Sequence, residues 1–215
     1  MRTTARPTAF PLDVSAIRRI HPDVIGVCTL LVLTLVGTAY LWNGGIMVGV
    51  DSAGYFHPMY TFLGERLRAF DIPGWNPAQF SGAPFAADPE SGWTYLPAMI
   101  LFTLLPFALA AKVFTVLPFV LAGFTTYAFA RVIGMTVSGA LLAAIAYEFS
   151  GFSFAMSTCC PIFSQVAAWL PVTLLGVELA IRAQTWLIRV AWWGVASFAL
   201  SQIFAAWLGQ GTYYA

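Results

Sequence analysis

Carboxylates and one histidine are concentrated in residues 43–93, between the first two apolar runs of the chain. This segment holds five of the nine acidic residues and one of the two histidines: Asp51, Glu65, Asp71, Asp88, Glu90 and His57. Carboxylates and imidazole transfer protons, and carboxylate oxygens also bind divalent cations. A loop of this length in a compact protein is usually functional. We therefore expect the chemistry of this chain to lie in residues 43–93.

Three residues of this loop suit specific contacts. Asp88 and Glu90 are two positions apart in a proline-rich path, so their oxygens suit one shared cation or the hydroxyl groups of a substrate. The alternative is that both acids are simply solvated. His57 suits phosphate binding or proton transfer, but Pro58 follows it at a helix start, so a structural role is the alternative.

The composition indicates that this loop is carried by a membrane-embedded scaffold. The chain is 60% apolar and 9% charged, with a formal charge of +1. Its mean hydropathy is +0.79. Soluble domains have about 25% charged residues, so the composition is typical of a multi-pass protein of the cell membrane. No basic segment resembles a nucleic-acid-binding groove, and we expect membrane lipid but no nucleic acid among the partners.

Six apolar runs divide the chain. They cover residues 24–42, 94–110, 113–130, 138–156, 162–181 and 191–208. The predicted fold is an all-α, polytopic transmembrane helix bundle of five or six spans, with a long extracytoplasmic first loop carrying a short amphipathic helix. Its parts are the N-terminal segment 1–23, the first transmembrane helix 24–42, the loop 43–93, and helices two to six in 94–215. The run 94–110 is short for a span and contains two prolines, so re-entrance is the alternative.

Basic residues predict the orientation. Four of them precede the first apolar run: Arg2, Arg6, Arg18 and Arg19. Under the positive-inside rule they place the N-terminus in the cytoplasm and the acidic loop outside. The same rule bears on the number of spans. Five spans would put seven of the ten basic residues inside, whereas six would divide them equally. Length and hydropathy favour six.

A helix is predicted within the loop. Its apolar positions recur at helical spacing: Phe56, Tyr60, Leu63, Leu67 and Phe70. Pro58 marks its start, and residues 71–74 mark its end. We expect the apolar side to lie on the membrane surface, with packing on the loop's own core as the alternative.

Charged and cysteine residues within the apolar runs have simpler interpretations. Glu148 should face a polar cavity or be protonated, because a charge at the bilayer centre costs at least about 2.5 kcal/mol. Glu178 is followed by Arg182 one turn later, which predicts a structural ion pair. The three cysteines fit no zinc spacing pattern and are interpreted as small buried hydrophobic residues. The chain stops directly after an apolar run, so we expect it to be a piece of a longer protein.

Several short motifs resemble the first external loop of YfhO-like membrane proteins, part of the GT-C glycosyltransferase superfamily. They are Asp51-Ser52, His57-Pro58, Pro73-Gly74-Trp75-Asn76-Pro77, Phe80, Gly82-Ala83-Pro84 and Tyr95-Leu96-Pro97. Gly209-Gln210 followed by Tyr213 is similar to the pattern of Gly, Gln and Tyr that follows a later helix of these proteins. The resemblance implies a membrane glycosyltransferase that moves a sugar from a polyprenyl-phosphate donor to an extracytoplasmic acceptor.

The resemblance also implies an essential acid early in the first external loop, and Asp51 holds that position. It would be the general base, or a ligand to a divalent metal that offsets phosphate charge. No cofactor is certain, and a divalent metal is possible. The neighbours of Asp51 are Val50 and Ser52, whereas many GT-C enzymes have two adjacent acids there. The alternative for Asp51 is a turn or helix-capping residue.

Other residues would bind the substrate under this hypothesis. Trp75 and Tyr95 suit stacking on sugar rings, and Arg66 and Arg68 suit contacts with a lipid phosphate. Ordinary membrane-interface aromatic residues and solvated charges are the alternatives. Two other functions compete with the transferase. One is a transporter or lipid-moving protein in which Glu148 lines a pathway, and the other is a non-catalytic membrane scaffold.

Overall fold

A computed structural model of the chain describes residues 21–43, 49–209 and 213. The elements in chain order are α1 (Pro22–Gly37), α2 (Ala39–Trp42), a π-helical turn (Ser52–Phe56), α3 (His57–Arg68), β1 (Trp75–Asn76), β2 (Ala83–Pro84), α4 (Leu96–Leu104), α5 (Phe107–Val132), α6 (Val137–Glu148), α7 (Gly151–Cys159), α8 (Pro161–Arg182) and α9 (Trp186–Ala206). The arginines before His21, which predicted the orientation, lie outside the described residues. Gln210 of the terminal motif also lies outside them.

Within the described parts of the chain, four helical segments are long and apolar enough to cross a membrane. They are α5, the segment Val137–Cys159 that comprises α6 and α7, α8 and α9. The predicted bundle of membrane-length helices is confirmed in this form. The first apolar run is divided at Thr38 between the 16-residue α1 and the four-residue α2.

A close backbone contact and an ion pair join neighbouring helices, and a further ion pair lies within α8. A side chain at Gly176 in α8 would lie 2.8 Å from the backbone nitrogen of Ala196 in α9, so these two helices touch through their backbones. Asp23 near the start of α1 accepts hydrogen bonds from Arg131 near the end of α5, the shortest being 2.5 Å from Nε. The predicted pair of Glu178 and Arg182 is confirmed, with 2.6 Å between Nη2 and Oε1.

The second apolar run does not form a single helix. The nine-residue α4 ends at Leu104, and Leu105 and Pro106 are extended before α5 begins. At 1.5 Å per residue, α4 is about 14 Å long, roughly half the thickness of a bilayer core. Pro106 explains the break, because a proline ring disfavours the helical conformation of the residue before it, here Leu105.

The loop helix α3 forms at the predicted position, and protein covers its apolar side. Phe56, Tyr60 and Leu63 are buried. The ring of Tyr60 lies 5.1 Å from that of Phe102 in α4 and 5.0 Å from that of Phe114 in α5. The apolar side therefore packs against α4 and α5, which matches neither the predicted membrane-surface position nor packing on the loop's own core alone. Phe70 lies beyond the helix and is fully exposed.

Candidate functional site

The bundle has two chemically distinct ends. The first, which we call the Arg131 end, holds the pair of Asp23 and Arg131. The second, which we call the Asp51 end, holds the loop, the junction between α7 and α8, and the C-terminus of α9. Leu208 after α9 donates its backbone N–H to the carbonyl oxygen of Pro89 at 3.3 Å, which ties α9 to the loop. Most of the side chains suggested by the sequence therefore lie at the Asp51 end.

Asp51 is exposed and lies against two cysteines. Its Oδ2 accepts contacts from Sγ of Cys160 at 3.5 Å and Sγ of Cys159 at 3.7 Å. Cys159 ends α7 and Cys160 directly precedes α8, so both thiols belong to a junction fixed by two helices. Burial and hydrogen bonding with Cys159 raise the pKa of the Cys160 thiol to about 12.

Backbone contacts fix the segment around Asp51 to the same junction. Gly49 donates its N–H to the carbonyl oxygen of Thr158 at 2.6 Å. The Ser52 hydroxyl is shared between the carbonyl oxygens of Thr158 and Cys159, at 2.8 and 2.9 Å. A Cβ atom at position 49 would lie only 2.7 Å from the Thr158 oxygen, so glycine permits this close approach. Asp51 is thus held between two anchored residues.

Asp88 is oriented by partners on both oxygens. Tyr55 donates its hydroxyl to Oδ2 at 2.9 Å, and the backbone N–H of Glu90 donates to Oδ1 at 2.9 Å. Burial, and then the hydrogen bond to Asp88, raise the pKa of Tyr55 well above its ordinary value. The phenol therefore stays protonated and keeps its hydrogen bond to Asp88.

Glu90 completes a cluster of three acids. Partial burial raises the pKa of the Glu90 carboxyl, and repulsion from Asp88 and Asp51 adds to this effect. A hydrogen bond from the side chain of Trp207 opposes it. Glu90 therefore interacts with both other carboxylates, and this repulsion favours proton uptake or cation binding.

An apolar groove begins beside this cluster. It has a volume of about 540 Å³ and is lined by residues of α6, α7 and α8, among them Tyr147, Phe152 and Phe163, and by Trp207. The rings of Phe163 and Trp207 meet edge to face at 4.5 Å. Phe152 is 48% exposed, so the groove opens at the bundle surface. Trp207 therefore borders both the groove and the Glu90 carboxyl.

His57 lines a separate cavity. This cavity has a volume of about 730 Å³ and lies between α3 and the loop that carries β1, with Tyr55, Glu65 and Gln79 also in its wall. The His57 ring meets the ring of Phe107 edge to face at 5.4 Å. Burial lowers the pKa of His57, so its neutral form is favoured near neutral pH.

The two loop arginines have partners within the protein. Arg66 forms an ion pair with Asp71, and its guanidinium lies 5.8 Å above the ring of Phe62. Arg68 donates to the carbonyl oxygen of Phe102 at 3.1 Å, near the C-terminus of α4. Such bonds satisfy the free carbonyl groups of a helix end. Arg68 therefore holds α4 against α3.

The two predicted stacking residues differ in exposure. Trp75 in β1 is 57% exposed, and its strand pairs with β2 in the register Trp75 to Pro84. Tyr95 is 1% exposed. Its hydroxyl donates to Oε1 of Gln165 and accepts from Nε1 of Trp169, the latter at 3.1 Å. Trp75 is open to a ligand, whereas the ring of Tyr95 is enclosed by protein.

Glu148 forms a buried polar centre inside the bundle, separate from the Asp51 end. It is 0% exposed, and its Oε1 accepts a hydrogen bond from the Thr34 hydroxyl at 2.6 Å. Its Oε2 lies against Gly123 and has no hydrogen-bond partner among the described residues. The sequence analysis identified a charge at this position as energetically costly within a membrane. Its partners, Thr34 and Gly123, come from two other helices, so no local pattern indicated them.

Sequence reasoning missed the cysteines of the Asp51 end. Cys159 and Cys160 lie 108 and 109 positions from Asp51, so no local spacing connects them. The only signal was their adjacency at a break in an apolar run.

No protein-family model matches the chain, and neither a curated protein nor a solved structure matches it.

Proposed function

We propose that the chain is a YfhO-like, GT-C-type membrane glycosyltransferase, or part of one, that uses a polyprenyl-phosphate sugar and an extracytoplasmic acceptor. One observation carries the proposal: Trp207 borders the apolar groove and hydrogen-bonds to Glu90. A lipid chain in the groove would place its polar head beside Asp51 and Glu90. Pockets of about 300 to 1,000 Å³ bury most of a drug-sized ligand, so a groove of about 540 Å³ suits the first part of such a chain.

The proposed reaction exchanges one bond for another at the anomeric carbon of the sugar. The acceptor oxygen forms a bond to this carbon while the bond to the lipid phosphate breaks, and the phosphate leaves with the electron pair. Asp51 takes the hydroxyl proton as general base, or it holds a cation that offsets the phosphate charge. Glu90 and Asp88 hold the acceptor hydroxyls, and the exposed Trp75 packs against a sugar ring.

The proposed topology has five spans, with α4 re-entrant and the Asp51 end outside the cytoplasm. Contacts at the C-terminal end of α4 support it. Arg68 of the loop helix bonds to Phe102 near the end of α4, and His57 touches Phe107 directly after it. The chain therefore returns to the Asp51 end before α5 begins. This topology also places Arg131 on the same side as the arginine-rich N-terminus, as the positive-inside rule requires.

Transfer of radiolabelled sugar from polyprenyl phosphates tests the proposal. The full chain, reconstituted in lipid vesicles, should transfer sugar to an acceptor supplied outside, and Asp51→Asn should abolish transfer. Asp71→Asn is a matched control, because Asp71 lies in the same loop but forms an ion pair with Arg66. Retained transfer in Asp51→Asn would remove Asp51 from the mechanism. Absence of transfer with every donor would reject the assignment.

A transporter is the second candidate, and Glu148 favours it. A buried carboxyl with one oxygen lacking a partner among the described residues is typical of proton and ion pathways in membranes. Under this alternative, Glu148→Gln would abolish solute or proton flux into vesicles. Under the transferase proposal the same variant keeps its transfer activity, because Glu148 lies within the bundle and away from the Asp51 end.

A further inference from the structure

We propose that Asp51, Cys159 and Cys160 bind one divalent cation of the zinc class. Each residue offers one ligand atom, and these three atoms lie within 4.8 Å of one another. Thiolate and carboxylate ligands together suit Zn²⁺, whereas Mg²⁺ and Ca²⁺ prefer oxygen ligands alone. The inference depends only on this geometry and does not require the transferase.

The distances match a tetrahedral ion. Zinc binds sulfur at about 2.3 Å and a carboxylate oxygen at about 2.0 Å, which places the two ligand atoms roughly 3.5 Å apart in a tetrahedron. The separations from Asp51 Oδ2 are 3.5 Å to Sγ of Cys160 and 3.7 Å to Sγ of Cys159. An ion can therefore enter with only small movements of the side chains. In the metal-free protein the same distances accommodate thiol-to-carboxylate hydrogen bonds, and the ion replaces their protons.

The site is held in place before any ion binds. The two cysteines belong to the junction of α7 and α8. Ser52, next to Asp51, bonds to the carbonyl oxygens of Thr158 and Cys159 in that junction. Ligands fixed by neighbouring hydrogen bonds lose little conformational freedom on binding, which favours affinity. Asp51 is also exposed, so an ion can reach the site from solvent.

The adjacency of the cysteines favours a metal over a disulfide. Consecutive Cα atoms are about 3.8 Å apart, below the range of about 4.4 to 6.8 Å that disulfides usually span. Both thiols are free in the structure. Two thiolates and one carboxylate leave the fourth tetrahedral position for water or a substrate oxygen, the arrangement of a catalytic zinc site. An ion here would make Asp51 a ligand instead of a general base.

Cobalt and zinc titrations of the purified full chain in nanodiscs test the inference. Co²⁺ alone should saturate at one ion per chain and produce the absorption of tetrahedral cobalt with thiolate ligands, and Zn²⁺ should displace it. Cys159→Ser and Cys160→Ser should each weaken binding by at least about 100-fold, because groups that only support a ligand are worth about 10 to 100-fold. Asp51→Asn should weaken binding by at least about tenfold.

Two controls separate metal binding from misfolding. Cys28→Ser should bind Co²⁺ like the unmodified chain, because Cys28 is exposed in α1 and is not part of the cluster. In the unmodified chain, Zn²⁺ should protect Cys159 and Cys160 from alkylation by a maleimide. No saturable cobalt absorption, no protection, or undiminished binding by Asp51→Asn would overturn the three-ligand site. None of these measurements uses transfer activity, so this inference and the transferase proposal can fail separately.

Discussion

Replacement of Gly123 by alanine tests how the buried Glu148 is packed. A Cβ atom at position 123 would lie 2.1 Å from Oε2 and 2.7 Å from Cδ of Glu148. The carboxyl is 0% exposed, so it cannot swing into solvent to make room. It must move within the bundle, and this movement puts at risk its hydrogen bond from Thr34, which is 2.6 Å long.

The expected cost follows from three contributions. Overpacking of a buried site costs about 1 to 3 kcal/mol. Loss of a buried hydrogen bond to the carboxyl costs about 1 to 3 kcal/mol more. Alanine is favoured over glycine within a helix by about 1 kcal/mol, which offsets part of the loss. The free energy of unfolding of Gly123→Ala should therefore fall by about 1 to 5 kcal/mol.

Unfolding of the purified protein in mixed micelles, followed by circular dichroism, measures this change. Gly194→Ala is the matched control, since a Cβ atom there meets no described residue within 4 Å and the glycine also lies inside a membrane-length helix. It should be neutral or stabilising by up to about 1 kcal/mol. In a double-mutant cycle, Gly123→Ala and Glu148→Ala should couple by at least about 1 kcal/mol. Equal stability of the two glycine variants would refute the described packing.

Three further predictions concern the loop and the topology. Gly64→Ala should destabilise the protein by about 1 to 3 kcal/mol in thermal unfolding, because its Cβ atom would lie 2.1 Å from the carbonyl oxygen of Phe102, a backbone atom that cannot rotate away. Cysteines introduced at Arg131 and Asp71 should be labelled from opposite sides of the membrane, the first from the cytoplasm, and labelling from one side would exclude five spans. Burial lowers the pKa of His57 below 6.5, so the folded state binds this proton less well than the unfolded state. The free energy of unfolding should fall as pH drops below about 6.5, and His57→Gln should flatten that part of the profile, whereas an unchanged profile would contradict the burial of His57.

The helix bundle was accessible from the sequence because the length and hydropathy of apolar runs are local properties. The positions at which helices are interrupted were less predictable. Pro106 ends the extended link before α5, whereas Pro118 and Pro171 lie inside α5 and α8 without ending them. A proline inside a membrane helix is tolerated where neighbouring groups satisfy the freed carbonyl. The sequence alone does not show which groups lie next to these carbonyls.

Only part of the candidate site could be predicted from the sequence. Asp51, Asp88 and Glu90 belong to one loop of the sequence, and Glu90 interacts with the other two in the structure. Cys159, Cys160 and Trp207 reach them only because the C-termini of α7 and α9 and the N-terminus of α8 lie at the same side of the bundle. Apolar helices carry no pattern that fixes which ends meet. The composition of the cysteine pair alone therefore suggested buried packing instead of a ligand cluster.

The anchoring of Ser52 to Thr158 has a consequence for biosynthesis. The two residues are 106 positions apart. At a translation rate of about 5 to 20 residues per second, the ribosome needs roughly 5 to 20 s to reach the second after the first. Throughout that interval the nascent loop exists without its docking partner. The Asp51 end therefore matures only after the α7–α8 junction has been synthesised, and chaperones or proteases meet the loop first in its undocked state.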